Sequence, residues 1–323
     1  MTARDIFDLP DTFAHIGWSI RYLTLGSTNN SSSVSANPWV VFVHGTPWSS
    51  DVFRPLANAL SASGSFNIVL YDLAGYGQSQ TFDKSQAEPE PDTSVKAQGE
   101  LLAALLQHLR LDGKDGNEPA HIVAHDIAGV ISMRAHLLHG CEYRSLCLLD
   151  TNCVLPWGDK LYNSVRANST VFEDLPAIVF EGCLRAIIQS ARVSGLGLGL
   201  EWEDVLARPW LAGGDAADSK LQYDPQKNFV RQIKQSDDRH TAELLDNGLY
   251  SKVRCDVKIL WGEKDAWIPY DKMRSLAGLL GDRLKGFVTV PDAGHLIMLD
   301  QPERVTLEIC RWLERRPRDP PCY

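Results

Sequence analysis

An α/β fold, in which a mostly parallel sheet is flanked by helices and interrupted once by a helical insertion, is what the sequence predicts, on three observations. Apolar runs rich in β-branched residues recur at 40–43, 68–71, 122–124, 146–149, 257–261 and 287–290. They are too continuous for half-exposed strands and suit strands buried on both faces. Helical patterns lie between them at 52–61, 95–109, 128–138, 272–280 and 303–314, and strand alternating with helix implies parallel crossovers. The alternation breaks only between Thr151 and about Lys252, where amphipathic segments such as 172–192 and 229–245 suggest helices.

Taken in order, residues 12–25 alternate polar and apolar as a pair of strands would, and the Ser/Asn-rich stretch 26–37 reads as a surface turn. The sheet then runs to Asp150. The expected organisation is a core from 1–150, a helical cap from 151–252 and a second part of the core from 253–323. The insertion leaves and rejoins the sheet at strand ends, so it should cover the carboxyl ends of the strands, where open α/β sheets bind ligands. Within it, the run Gly195-Leu196-Gly197-Leu198-Gly199 is a candidate mobile loop.

Composition narrows the partners. The 323 residues hold 32 Lys+Arg against 41 Asp+Glu, a net charge of −9, which argues against a nucleic-acid binder, whose affinity comes from clustered cations. The longest basic group, Arg315-Arg316-Pro317-Arg318, reads as a solvated tail. No apolar run approaches the roughly 20 residues of a membrane helix, and the acidic start is unlike a signal peptide. The odd set Cys141, Cys147, Cys153, Cys183, Cys255, Cys310 and Cys322 has no Cys-x-x-Cys pair, which suits reduced core thiols. Glycosylation patterns at Asn29, Asn30 and Asn168 carry meaning only in a secreted chain. The expectation is a cytoplasmic protein with a small-molecule substrate as partner, neither nucleic acid nor membrane, and a homodimer left open.

The strongest local signal is Ile122-Val123-Ala124-His125-Asp126-Ile127-Ala128-Gly129. An apolar strand meets small residues around one polar residue and passes into a helix. A sharp strand-to-helix turn of this kind needs small neighbours, because the central residue is strained and its side chain stands above the sheet. An aspartate that merely N-caps the next helix gives the same octapeptide, and these residues alone do not separate the readings. Two later segments do. Trp261-Gly262-Glu263-Lys264-Asp265 follows a buried strand, and Pro291-Asp292-Ala293-Gly294-His295 puts a histidine just past the last one. Nucleophile, acid and histidine in that order match the triad order of α/β-hydrolases.

The sequence resembles the α/β-hydrolase superfamily across nearly its whole length, and within it the branch of haloalkane dehalogenases and epoxide hydrolases, whose nucleophile is an aspartate. His44-Gly45-Thr46-Pro47 is similar to the oxyanion-loop motif of that branch, and Asp72-Leu73-Ala74-Gly75-Tyr76-Gly77-Gln78-Ser79 to the turn after its next strand. The resemblance implies the α/β-hydrolase fold, catalytic residues Asp126, His295 and Asp265, and no cofactor or metal. The oxyanion-hole residues would be Thr46 and Ile127, acting through main-chain N–H groups.

The chemistry points the same way. An aspartate, with a reference pKa of about 3.9, is ionised at neutral pH unless burial raises it strongly, so Asp126 can attack unaided. Attack on an ester carbonyl would give an anhydride, whereas attack on a saturated carbon bearing a leaving group gives an ordinary ester. That favours strained epoxides or carbon–halogen bonds. His295, oriented by Asp265, would then deprotonate the water that opens the enzyme ester.

Ile127 and Thr46 stand where haloalkane dehalogenases typically carry the tryptophan and, in many, the asparagine whose side chains hold the halide. Trp48, Trp157, Trp202, Trp210 or Trp267 could supply an indole N–H instead. Of the two cap tyrosines that epoxide hydrolases use as proton donors, Tyr162 could be the first. The second motif reads Phe229-Val230-Arg231-Gln232, with Tyr223 nearby and Tyr250 and Tyr270 outside it. Candidates for the substrate-binding wall are therefore Trp48, Trp157, Tyr162, Phe229 and Trp267. His125 reads as structural, pointing away from the site, His44 as a holder of the oxyanion loop, and His136 and His139 as lacking a third metal ligand. Rival functions on the same scaffold are ester or lactone hydrolysis, a cofactor-free lyase or isomerase, and a receptor without turnover.

Overall fold

The computed structural model describes residues 8–26, 37–83, 91–158, 160–193, 200–211, 224–235 and 237–315. The interior of the expected turn 26–37, with Asn29 and Asn30, lies outside them, as do the run 195–199, Tyr223, Cys322 and the basic tail beyond Arg315.

The described residues form one nine-stranded sheet. β1 (Asp11–His15) and β2 (Trp18–Leu25) make the expected hairpin. Its turn places Ile16 at φ 41° and Gly17 at φ 82°, the left-handed pair that two-residue hairpins require. The remaining strands are β3 (Trp39–Val43), β4 (Asn67–Tyr71), β5 (Thr81–Phe82), β6 (Ala120–His125), β7 (Tyr143–Leu149), β8 (Val257–Gly262) and β9 (Leu284–Val290). Their order is β1-β2-β4-β3-β6-β7-β8-β9, with the short β5 antiparallel on β2. From β4 to β9 every pairing is parallel. The apolar runs are the strands, and β3, β4 and β6 are buried at every position but the first of β3. Lys258, the one charge within the β8 run, is fully buried and its ammonium donates to the Glu308 carboxylate at 2.9 Å.

Between strands lie α1 (Arg54–Ser63), α2 (Val95–His108) and α3 (Ala128–Leu137). After β7 come α4 (Lys160–Ala167), α5 (Ser169–Glu173), α6 (Ala177–Ser190), α7 (Leu200–Ala207), α8 (Pro225–Lys234) and α9 (Asp238–Asp246). The chain then rejoins the sheet at β8 and adds α10 (Tyr270–Leu280), α11 (Ile297–Asp300) and α12 (Pro302–Leu313). Each amphipathic stretch of the insertion is two helices rather than one. Pro176, which cannot donate within a helix, separates α5 from α6, and Asp237 starts α9 by accepting from the Arg239 N–H at 2.9 Å.

The chain order reverses between β3 and β6, which are neighbours although β4 and β5 intervene in sequence. A crevice opens beyond the carboxyl ends of strands at such a point. The loop after β3 carries Thr46 and the turn after β6 carries Asp126, so topology alone brings these residues together. The six described cysteines are unpaired thiols, and no described helix is long and apolar enough to cross a membrane.

Candidate active site

Asp126 directly follows β6, at φ 54°, a left-handed conformation that aspartate tolerates better than most residues with a Cβ. The turn is pinned from several sides. The Asp126 N–H donates to the Leu149 carbonyl at 3.1 Å, and its own carbonyl accepts from the N–H groups of Gly129 and Asn152 at 3.1 and 3.0 Å and from the Thr151 hydroxyl at 2.9 Å. The carboxylate is aimed at the oxyanion loop. Its Oδ2 accepts from the Thr46 N–H at 3.0 Å, and the Ile127 backbone N–H also favours the charged form of the same carboxyl group.

Such an approach leaves no room for a side chain at Gly45, where a Cβ would lie 2.5 Å from the Asp126 Cβ and 2.9 Å from the His125 carbonyl oxygen. The change Gly45→Ala is therefore expected to displace the Thr46 donor and lower turnover by on the order of 100-fold, the size of losing one oxyanion donor. Steady-state kcat is the check, and a variant within threefold of wild type would show that the loop can move aside. His44 holds the same loop. Its Nε2 accepts from the Leu73 N–H at 2.9 Å, which leaves Nδ1 to donate to the Gly45 carbonyl at 2.8 Å, and burial pushes its pKa down to about 4.

His295 is fully buried. Its Nδ1 lies 3.0 Å from Asp265 Oδ2, and its Nε2, which has no hydrogen-bond partner, lies 3.9 Å from Asp126 Oδ1. The other Asp265 oxygen accepts from the N–H groups of Trp267 and Ile268 at 2.7 and 3.0 Å, so this carboxylate is fixed by the chain that follows it. Trp267 stacks on the His295 ring at 4.8 Å. From the other side His125 packs against the same ring at 4.7 Å and its Nε2 donates to the His295 carbonyl at 2.8 Å.

Burial raises the Asp126 pKa to about 6, against the lowering effect of the His295 charge and the two N–H donors. For His295 burial acts downward but is outweighed by the charge and hydrogen bond of Asp265 and by the Asp126 charge, so its pKa is raised. In front of Asp126 lies a cavity lined by Thr46, Ile127, Asn152, Trp157, Tyr162, Arg166 and Trp267.

A profile of the alpha/beta hydrolase family matches residues 40–308, spanning the oxyanion loop, elbow, acid and histidine. The chain belongs to this family. Among solved structures, this α/β-hydrolase is similar to an alpha/beta hydrolase fold protein from Burkholderia ambifaria, at 29% identity and a TM-score of 0.75 over 95% of this chain and 98% of that one. It is also similar to a haloalkane dehalogenase from Bradyrhizobium elkani, at 17% identity and TM-score 0.65 over 94% and 96% of the chains. An enol-lactonase from Burkholderia xenovorans matches at 16% identity and TM-score 0.65 over 94% and 100%. At the latter identities the likeness is one of fold. No curated protein matches significantly.

The expected site residues of this hydrolase separate into two groups. Asp126, His295, Asp265, Thr46, Ile127, Trp157, Tyr162 and Trp267 are gathered around the cavity. Trp48 lies one layer back, buried and stacked on Trp267 at 5.8 Å. Phe229 is elsewhere, because its face of α8 turns toward α6. There it packs on Phe180 and Trp210 and lines a separate apolar cavity with Leu161 and Val165.

Among the other tryptophans, the Trp210 indole donates to the Pro47 carbonyl at 2.8 Å, and Trp202 lies under the Arg54 guanidinium at 4.8 Å. Tyr250 donates to the Cys153 carbonyl at 2.8 Å, and Tyr270 is half exposed, against Trp261. His125 is structural as expected but supports His295 directly rather than pointing away from the site. Both ring nitrogens of His136 are engaged by backbone, with the Cys141 carbonyl and the Arg254 N–H.

Asp150, Asn152 and Arg166 are neighbours of the site that the motifs did not single out. The run Leu149-Asp150-Thr151-Asn152 held the signal, since polar residues directly after a buried parallel strand lie where ligands bind. Asp150, at φ 40°, accepts from the Gly262 N–H at 2.7 Å through Oδ1, and its carboxyl group also meets that of Asp265. Burial and the charge of Asp265 drive its pKa well up, which favours the neutral acid at Asp150. Asn mimics both the neutrality and the backbone conformation. Asp150→Asn is expected to hold Tm within about 2 °C and to keep the pH profile of turnover. A shift of that profile by a full unit would mean that Asp150 carries charge.

Proposed function

We propose that the protein is a hydrolase that opens a carbon–halogen bond or an epoxide through an ester on Asp126. The observation that carries this reading is the division of labour between the two oxygens of one carboxylate: Oδ2 accepts from the Thr46 N–H at 3.0 Å while Oδ1 faces His295 Nε2 at 3.9 Å, and the Ile127 N–H acts on the same carboxylate. Oδ1 attacks the saturated carbon, the new C–O bond forms, and the leaving group departs with the electron pair of its bond to carbon. Oδ2 becomes the ester carbonyl oxygen. A water then gives one proton to His295 Nε2 as its oxygen bonds to the Asp126 carbonyl carbon, and the negative charge moves to Oδ2, where the Thr46 N–H already donates. Collapse breaks the bond between the Asp126 carbonyl carbon and Oδ1. The alcohol leaves with the original aspartate oxygen and takes the proton back from His295, and Asp126, left as the neutral acid with the water oxygen and its second proton, releases that proton to return to the carboxylate. Asp265 keeps the imidazole oriented throughout.

Both bond types have support in the cavity. Tyr162, an O–H donor on the wall, favours an epoxide, whose oxygen needs a proton. The buried Trp157 indole nitrogen and the Asn152 amide oxygen, both on the same wall, have no hydrogen-bond partner, and such groups cost about 1–3 kcal/mol each when left unmade. A leaving group that accepts hydrogen bonds without taking a proton would engage the indole N–H.

The test is a single turnover in heavy-oxygen water, on whichever of a panel of epoxides, haloalkanes, haloacids, esters and lactones is consumed. The label is expected in Asp126 and not in the first product molecule. Label in product and none in Asp126 means direct attack by water and ends this reading.

A further inference from the structure

The oxyanion loop is gripped from three directions. From the core, the His44 imidazole donates to the Gly45 carbonyl at 2.8 Å, and the Tyr76 hydroxyl donates to Thr46 Oγ1 at 3.1 Å. The third grip comes from the insertion. Trp210 closes the 3₁₀ turn Arg208–Trp210 that follows α7, is 1% exposed, and donates its indole N–H to the Pro47 carbonyl at 2.8 Å, across 163 residues of sequence. Pro47 is next to Thr46, whose N–H donates to Asp126 Oδ2. The indole ring is itself bedded between Tyr76 at 5.7 Å and Phe229 of α8 at 5.5 Å, both edge to face. Its turn is tied down as well, because the Gln80 amide donates to the Pro209 carbonyl at 3.1 Å while its oxygen accepts from the Asn228 side chain of α8 at 2.7 Å.

We infer that Trp210 is a positioning residue for the oxyanion hole, through which the seating of the insertion on the core sets the aim of the Thr46 N–H at Asp126. The inference rests on the reading of that N–H as the donor Asp126 uses, and extends it to a residue that touches neither Asp126 nor the cavity in front of it. Indole has one donor and no acceptor, so what a rigidly held tryptophan supplies to the loop is a direction. A donor helps only when aimed at the place where charge develops, and a misplacement of about 1 Å can cost on the order of 100-fold. On this account the insertion is a working part of the oxyanion hole as well as the wall of a pocket.

Two variants remove the donor. Trp210→Phe keeps an aromatic ring and loses volume, whereas Trp210→benzothienylalanine, with sulfur in place of the N–H, keeps the shape. Trp312→Phe is the control, since Trp312 is 3% exposed and its indole nitrogen has no hydrogen-bond partner. In both Trp210 variants of the full-length protein, NMR at pH 7 is expected to show the Thr46 amide exchanging with solvent at least tenfold faster than in wild type, with the Val123 amide of β6 unchanged. The Asp126 carboxyl should titrate at higher pH, because a loosened N–H donor no longer holds its pKa down while the His295 and Asp265 charges stay in place. On a consumed substrate, kcat should fall about tenfold with KM within threefold. A merely structural loss, as in Trp312→Phe, moves neither the titration nor kcat against KM. The inference is overturned if Trp210→benzothienylalanine matches Trp312→Phe in Thr46 exchange or in the Asp126 titration, or if its kcat stays within threefold of wild type. An effect confined to Trp210→Phe would likewise assign the role to ring packing and end the proposal. Exchange and titration need no substrate, so the two readings fail separately. Both readouts moved, in a protein whose Asp126 takes up no label, would end the ester route and leave the positioning role standing. A labelled Asp126 with both unmoved would do the reverse.

Discussion

His295→Gln is expected to convert the enzyme into a trap: one equivalent of substrate reacts per active site and turnover then stops, with the added alkyl mass on the peptide containing Asp126. On the proposed route the first half-reaction needs no base, because the attacking group is already a carboxylate at neutral pH. Its Oδ2 contact with the Thr46 N–H does not involve the imidazole. Gln fills most of the same volume between Trp267 and His125 and can donate its amide N–H to Asp265, so the surrounding packing at 4.8 and 4.7 Å survives. What it cannot do is accept the proton of the attacking water. Loss of a general base typically costs ~10²–10⁴-fold, and here the whole loss should fall on the breakdown of the ester. The measurement is rapid-quench product formation paired with mass spectrometry of the Asp126 peptide. Steady turnover within tenfold of wild type, or inactivity with no adduct while substrate still binds, would remove His295 from the second step.

The strands were legible because burial on both faces writes a continuous apolar run, and the elbow because steric crowding writes small residues around Asp126. Thr46 and Ile127 followed, since their part depends on main-chain N–H groups whose place is set by topology rather than side-chain identity. The short β5 was not legible, because two residues at an edge carry no periodicity. Nor was the inside of the insertion. A helix such as α4 has Tyr162 and Arg166 on one face and Leu161 and Val165 on the adjoining one, and each face lines its own cavity. Hydropathy along the chain marks such a helix as amphipathic but does not say which cavity meets which face. Phe229 was misplaced for that reason, its position on α8 being set by packing against Phe180 and Trp210. Asp150 and Asn152 lay in plain view after β7, yet their meaning depends on which strands become neighbours. Only the pairing of β7 with β8 places Asp150 against Gly262 and near Asp265.

The pH dependence should differ between the two half-reactions, and the difference tests the electrostatics of the site. On the proposed route Asp126, with its pKa raised by burial to about 6, attacks only when ionised. Ester formation is therefore expected to be flat above neutrality and to fall about tenfold for each pH unit below 6. His295 works in the opposite protonation sense, as a neutral base, and in the free enzyme its pKa is raised because the charges of Asp265 and Asp126 outweigh burial. Ester formation erases the Asp126 charge. One of the forces holding the proton on His295 disappears while the burial that expels it stays, so the imidazole pKa must fall at the moment a base is needed. Decay of the isolated ester should then inflect at a lower pH than the His295 titration of the free enzyme. Asp126 and His295 lie 3.9 Å apart and titrate as a pair, so the free-enzyme reference has to come from NMR of the His295 ring in both wild type and Asp126→Asn. The variant, which lacks the same charge as the ester, should match the ester's lower value. An ester whose decay inflects above the free-enzyme titration would mean that the Asp126 charge does not govern the histidine, and the coupling between nucleophile and base assigned to this site would be lost with it.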